Sequence, residues 1–127
     1  MAPRITFIIC SVITFLIAAA MYIAPEFFTM KAFLKAKGNE VEIGITMHYL
    51  LAGGIFHVCL LLFAASKLDG ANNQKPVMLC SAVGFTVSCA TMIYATIFRD
   101  LGEVIPPITG TGIMAILSWF SWSKIKE

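Results

Sequence analysis

The stretch ITMHYLLAGGIFHVCLLLFAAS, residues 45–66, contains no Asp, Glu, Lys or Arg. About 20 apolar residues in a helix cross the ~30 Å hydrocarbon core of a bilayer. A charge near the bilayer centre costs several kcal/mol, whereas a soluble helix carries charges along its outward face. The stretch therefore predicts a transmembrane helix.

The rest of the chain repeats this segregation of charge. All nine Lys and Arg and all seven Asp and Glu lie outside four apolar stretches, which are residues 5–23, 45–66, 77–98 and 105–122. The chain has 127 residues, is 59% hydrophobic and has a mean hydropathy of +0.87, unlike soluble domains. We expect one all-α integral membrane domain, a four-transmembrane-helix bundle. The net charge of +2 is dispersed, so nucleic acid is not an expected partner.

The segment between the first two spans, residues 26–37, has a different pattern. The apolar residues fall on one side of a helix and the charged residues largely on another. The apolar residues are Phe27, Met30, Phe33 and Leu34, and the charged residues are Glu26, Lys31 and Lys35. This pattern predicts a short interfacial helix on the membrane surface. An irregular polar loop is the alternative.

Turn and proline signals mark the remaining span boundaries. Residues 69–73, DGANN, predict a turn, after which Pro76 fits the first turn of the third span. Pro106 and Pro107 fit the first turn of the fourth span. The connection between spans three and four is short, so those helices are expected to be antiparallel neighbours.

Small residues on each span predict the faces that pack, because they let helix backbones approach closely in lipid. The predicted packing residues are Ser11, Thr14 and Ala18; Ala52, Gly53 and Gly54; Cys80, Gly84, Ser88, Thr91 and Ala95; and Gly110, Thr111, Gly112, Ala115 and Ser118.

The four cysteines all lie inside spans, which disfavours a disulfide framework.

Orientation follows weakly from the basic residues. Four spans place both ends of the chain on one side, with five Lys and Arg there against four on the other. The positive-inside rule then favours the termini on the cytoplasmic, matrix or stromal side. Residues 18–20, AAA, would also suit a signal-peptide cleavage site. We expect the first span to be retained.

Two histidines lie inside a span, His48 and His57. Their nine-residue separation places them on opposite sides of a helix, roughly 13 Å apart along its axis, so they cannot share one ligand. His57 lies near mid-membrane, with Gly53 and Gly54 one turn earlier, and these glycines leave room for a flat ring. A haem or chlorophyll with one axial imidazole fits this pattern. The alternatives are a neutral His57 hydrogen-bonded to a neighbouring helix, and proton handling or substrate contact. His48, beside Tyr49, is expected to be interfacial, with a minor cofactor-binding role at most.

Other candidate chemistry is sparse. Arg99, Asp100 and Glu103 lie in the connection before the fourth span, as a snorkelling anchor with compensating acids or as a substrate-binding cluster at the bundle mouth. No acidic residue lies at membrane depth, and no redox cysteine pair, zinc spacing or catalytic triad can be assembled. We therefore expect no catalytic residue, no metal site and no enzymatic activity.

The order of these features resembles the DoxX-like four-helix membrane proteins. Pro25 ends the first span, a Gly-rich second span follows, and the third closes on Phe98-Arg99-Asp100 before a Pro-led fourth. The resemblance covers most of the chain and implies this fold. Because the group is functionally mixed, it implies no activity and no site residue.

The sequence predicts a non-enzymatic, four-span accessory subunit of a larger membrane complex, with the lipid bilayer and other membrane subunits as partners. A variant of this hypothesis adds a pigment or haem ligand through His57. The alternative is a small oligomeric transporter or channel, with a polar, water-accessible cavity near His57 and the Ser and Thr hydroxyls. An enzyme acting on lipid or quinone is a third possibility.

Overall fold

The computed structural model describes residues 2–98 and 105–125, which form five α-helices and contain no strand. The all-α prediction is confirmed. Three of these helices, α1, α3 and α4, are each long and apolar enough to cross a membrane. By length and composition, the chain is therefore a membrane protein. The helices are α1 (Pro3–Ile23), α2 (Pro25–Ala32), α3 (Asn39–Ala65), α4 (Ala71–Phe98) and α5 (Ile105–Lys124).

Helices α3 and α4 both begin earlier than their apolar stretches. They start at Asn39 and Ala71, after Gly38 and Gly70, whose φ angles are +56° and +83°. Positive φ is accessible to glycine at little cost, so each glycine lets the chain turn and start a helix. Hydropathy marks the part of a helix that suits lipid, and polar residues continue both helices beyond it.

Pro76 is consequently not in the first turn of its helix, and that prediction is wrong. It is an internal residue of α4. The turn before it starts the helix, because the Gly70 carbonyl accepts the N–H groups of Asn73 and Gln74 at 3.2 and 3.1 Å. The Gln74 side chain also donates to the Leu68 carbonyl at 2.6 Å. These bonds stabilise the polar first turn of α4.

Helix α2 is shorter than the predicted segment of residues 26–37. It ends at Ala32, and Phe33 leaves the helical region with φ −120° and ψ 76°. Thr29 and Ala32 are buried, whereas Phe27 and Met30 are exposed. The predicted apolar side is therefore turned away from the rest of the chain.

The helices pack as two pairs that meet at α1. Helix α1 packs against α3, α4 packs against α5, α2 lies on α3, and α1 also contacts α5. Within the chain, 39% of the apolar part of α1 is buried, against 17% for each of α3 and α4. Helix α1 is thus central, and α3 and α4 are largely open. The buried core consists of Phe7, Cys10, Leu62, Ala65, Met78, Phe85, Met114, Ala115 and Ile125.

The predicted small-residue faces have different outcomes. On α1 and α5 they are largely buried, as predicted. On α4 the prediction is wrong, because Cys80, Gly84 and Thr91 are exposed, while Met78, Ala82 and Phe85 are buried. Helix α5 supplies small residues at this contact, such as Gly112 beside the Cys89 sulfur. Helix α4 can therefore meet α5 with larger side chains.

Candidate functional site

The two histidines of α3 lie in different surroundings, as their spacing predicts. His48 is half-buried where α2 lies on α3, whereas His57 is exposed on the side away from the buried Cys59. Two residues apart on a helix means about 200° of rotation. His57 therefore points away from the α1–α3 contact.

His48 is held by two hydrogen-bonding groups and a ring. Its Nδ1 lies 2.8 Å from the Gly44 carbonyl oxygen and 3.1 Å from the Thr29 hydroxyl oxygen. The Thr29 hydroxyl donates to the Pro25 carbonyl at 2.9 Å. A carbonyl can only accept, so Nδ1 carries the proton and donates to both oxygens. The Phe28 ring stacks on the imidazole, with centroids 6.2 Å apart.

This tautomer leaves Nε2 of His48 as the free end of the ring. Nε2 makes no hydrogen bond within residues 2–98 and 105–125, and no buried side-chain nitrogen or oxygen there lacks a partner. Nε2 therefore reaches the surface. A neutral imidazole fixed through Nδ1 presents Nε2 as a hydrogen-bond acceptor or as a ligand.

Gly44 makes the His48 arrangement possible. A Cβ added at Gly44 would lie 3.3 Å from the Thr29 hydroxyl and would overlap the Thr29 methyl group. The absence of a side chain at Gly44 thus lets α2 approach α3 closely enough for Thr29 to reach His48. The sequence carries a signal for this contact, a glycine one turn before the histidine, which sequence reasoning missed.

The two glycines predicted to accompany His57 have different surroundings. Gly54 is exposed, and a Cβ added there would meet nothing within 4 Å. Gly53 faces the Tyr22 hydroxyl, which a Cβ would approach to 3.3 Å. The Tyr22 ring lies 6.1 Å from that of Tyr49. Only Gly54 therefore leaves open space beside His57, and the cofactor-binding role of these residues stays a prediction.

One alternative for His57 is a hydrogen bond to a neighbouring helix. No hydrogen bond to His57 is present within the described part of the chain. Its imidazole is polar, exposed and near the middle of an apolar span. It therefore places a polar group on the surface of a largely apolar helix.

Some of the buried hydroxyls serve a different purpose, since they connect helices. The Ser11 hydroxyl donates to the Cys59 carbonyl at 3.1 Å, and Thr6 and Ser121 share a hydrogen bond between α1 and α5. His57 lies on the opposite side of α3 from Cys59. The polar cavity required by the transporter alternative is therefore not built from His57 and these hydroxyls. Arg99, Asp100 and Glu103 lie outside the described residues.

Metal binding has no support in the described ranges, where no group of three or more His, Cys, Asp and Glu is placed to hold an ion. No protein-family model, no curated protein and no solved structure matches the chain. The DoxX-like resemblance and the absence of enzymatic activity both stay predictions.

Proposed function

We propose that the chain is a four-span, non-enzymatic subunit of a larger membrane assembly and that α3 carries a contact with another transmembrane helix. The observation that carries this proposal is the position of His57. An imidazole that faces hydrocarbon without a hydrogen-bond partner is costly. A partner helix that offers a donor or an acceptor removes that cost.

The surface around His57 suits a helix. We call Leu50, Gly54, His57 and Leu61 the α3 outer face; they follow spacings of four, three and four residues, and all are exposed. Gly54 makes a notch between the two leucines. Small residues beside a hydrogen-bonding side chain are typical of helix contacts in membranes.

Helix α4 supports the same proposal independently. Its small-residue stripe of Cys80, Gly84 and Thr91 is exposed, and a Cβ added at Gly84 would meet nothing within 4 Å. Small residues are used for close helix approach in lipid, yet these three residues stay exposed in the part of the chain that the structure describes. A second contact with a neighbouring subunit would use it.

The proposed membrane placement adds α5 as the fourth span and α2 as an interfacial helix. Phe27 and Met30 on α2 are exposed and would lie against the lipid surface, with Lys31 in the last turn of the same helix. Both ends of the four-span unit then lie on one side of the membrane. The slight excess of basic residues favours the cytoplasmic, matrix or stromal side for them.

The test is the assembly state of the full chain after extraction in mild detergent. His57→Leu keeps an apolar surface but removes the imidazole, so we expect the association constant of the assembly to fall about threefold to twentyfold, as for the loss of one interhelical hydrogen bond. His57→Asn retains a donor and an acceptor, so the association constant should fall less. Native mass spectrometry measures the assembled fraction.

Thr46→Val is the matched control. Thr46 is also exposed on α3, but its hydroxyl donates to the Glu42 carbonyl of its own helix at 3.0 Å. Its removal should leave assembly unchanged. A wild-type chain that is monomeric in mild detergent and in lipid nanodiscs would contradict the proposal. A porphyrin absorption band that is lost in His57→Leu would support the haem or pigment variant.

A further inference from the structure

A groove lies where the beginning of α4 meets the end of α5. Its volume is about 420 Å³, and it is lined by Asn72, Lys75, Pro76, Leu79 and Trp122. The four α4 residues follow spacings of three, one and three and therefore share one face of the helix. Trp122 forms the opposite wall from α5.

The lining changes from polar to apolar along α4. Asn72 and Lys75 come first in the helix, and Pro76 and Leu79 follow toward the apolar part. The indole N–H of Trp122 makes no hydrogen bond within the described residues. The groove thus combines an ammonium group, an amide and a free donor at one end with apolar surface at the other. A phospholipid has the same order, from headgroup to acyl chain.

The electrostatic surroundings favour a negative headgroup. Arg4, Lys67 and Lys124 lie at the same end of the helices as Lys75, with Asp69 as the only acidic residue at that end in the described ranges. The positive end of the α4 helix dipole adds to this field. Basic pockets between membrane helices bind anionic lipid headgroups.

We infer that this groove binds one anionic phospholipid, with its phosphate at Asn72, Lys75 and Trp122 and an acyl chain along Pro76 and Leu79. The inference uses the membrane placement proposed above for α4 and α5 but not the α3 contact. Inorganic phosphate shares the headgroup chemistry. It would leave the apolar half of the groove unused, so a lipid is the better fit.

The experiment measures lipid retained by the purified full chain in native mass spectra, with phosphatidylglycerol or phosphatidylcholine supplied. We expect retention of phosphatidylglycerol over phosphatidylcholine. Lys75→Gln should weaken phosphatidylglycerol binding about fivefold, the value of one Lys near an anionic surface. Lys67→Gln is the matched control, because Lys67 carries the same charge at the same end but lies over the Phe63 ring at 5.2 Å, outside the groove. It should change binding less than twofold.

Trp122→Phe keeps an aromatic ring but removes the indole N–H, and it should weaken binding about threefold, the effect of one net hydrogen bond. Thermal unfolding establishes that each variant is folded. Equal retention of the two lipids, or equal losses in Lys75→Gln and Lys67→Gln, would overturn the inference. Displacement of phosphatidylglycerol by millimolar inorganic phosphate would identify a free anion as the ligand and overturn it too. A monomeric chain that still retains phosphatidylglycerol would contradict only the proposed assembly.

Discussion

The lack of a side chain at Gly44 determines how α2 lies on α3. Gly44 is buried against Thr29, and the Thr29 hydroxyl connects the Pro25 carbonyl with His48 Nδ1. The contact fixes the tautomer of the histidine and the position of the short helix together. The orientation of His48 therefore depends on a residue one helical turn before it.

Gly44→Ala should separate α2 from α3. The added Cβ would overlap the Thr29 methyl group, and forced overpacking of this kind typically costs about 1–3 kcal/mol. We expect lower thermal stability in detergent and loss of the Thr29–His48 hydrogen bond, visible as a change in the His48 imidazole NMR signals.

The matched variants isolate the steric cause. Thr29→Ser removes the methyl group but keeps the hydroxyl, so Gly44→Ala combined with Thr29→Ser should recover most of the stability. Gly54→Ala adds the same methyl group to the same helix in open space and should not destabilise the protein. Equal losses in Gly44→Ala and Gly54→Ala would exclude the close contact as the explanation.

The sequence predicted part of this site for a clear physical reason. Spacing on a helix determines which residues share a side, so the opposed positions of His48 and His57 could be predicted. Which side faces the neighbouring helices could not, because α3 is apolar nearly all round. The exposure of His57 and the contact between Thr29 and His48 both depend on which side of α3 faces the neighbouring helices.

At the scale of the elements, hydropathy located the spans but not the ends of the helices. Asn39 and Ala71 begin helices outside the apolar stretches because turn glycines and hydrogen bonds, not lipid, set those starts. Small residues identified the packing faces of α1 and α5. The same pattern on α4 predicted the wrong face, because a small residue allows close approach without specifying which helix approaches.

The contact between α1 and α5 should depend on a pair of hydroxyls. Thr6 and Ser121 are both fully buried and hydrogen-bond to each other across the two helices. Interhelical hydrogen bonds in membrane proteins contribute about 0.6 kcal/mol on average and up to about 1.7. A double-mutant cycle with Thr6→Val and Ser121→Ala should give a coupling free energy in this range.

Thr109→Val supplies the comparison on α5. The Thr109 hydroxyl donates to the Ile105 carbonyl of its own helix at 2.9 Å and is exposed, so its coupling with Thr6→Val should be zero. A coupling near zero for the Thr6–Ser121 pair would mean that the two hydroxyls do not stabilise the helix contact.

At the scale of the whole molecule, α1 is the central helix of the packing. Because α1 contacts both helix pairs and α3 and α4 remain largely open, one chain leaves two long apolar faces for lipid or other subunits. Particular residues on those faces distinguish a surface that meets lipid from one that meets protein. A surface that meets only lipid needs neither a histidine nor a stripe of small residues, whereas His57 on α3 and the small-residue stripe on α4 suit contacts with protein.

Whether the chain has three or four spans depends on whether α5 crosses the membrane. Its 20 residues would extend about 30 Å, but it is not among the three span candidates of the described chain. Its polar residues Thr111, Ser118 and Ser121 are buried against other helices. The side left open carries the large apolar side chains Ile113, Ile116 and Phe120, which suit lipid.

Single cysteine substitutions distinguish four spans from three. A membrane-impermeant maleimide should label Asp69→Cys and Ser123→Cys from one side of sealed vesicles and Asn39→Cys from the other, because four crossings place Ser123 on the side of Asp69. None of these changes removes a Lys or Arg that sets orientation. If α5 stays on one side, Ser123→Cys would instead be labelled together with Asn39→Cys. That result would reduce the fold to three spans and would place the α5 end of the lipid groove on the wrong side of the membrane.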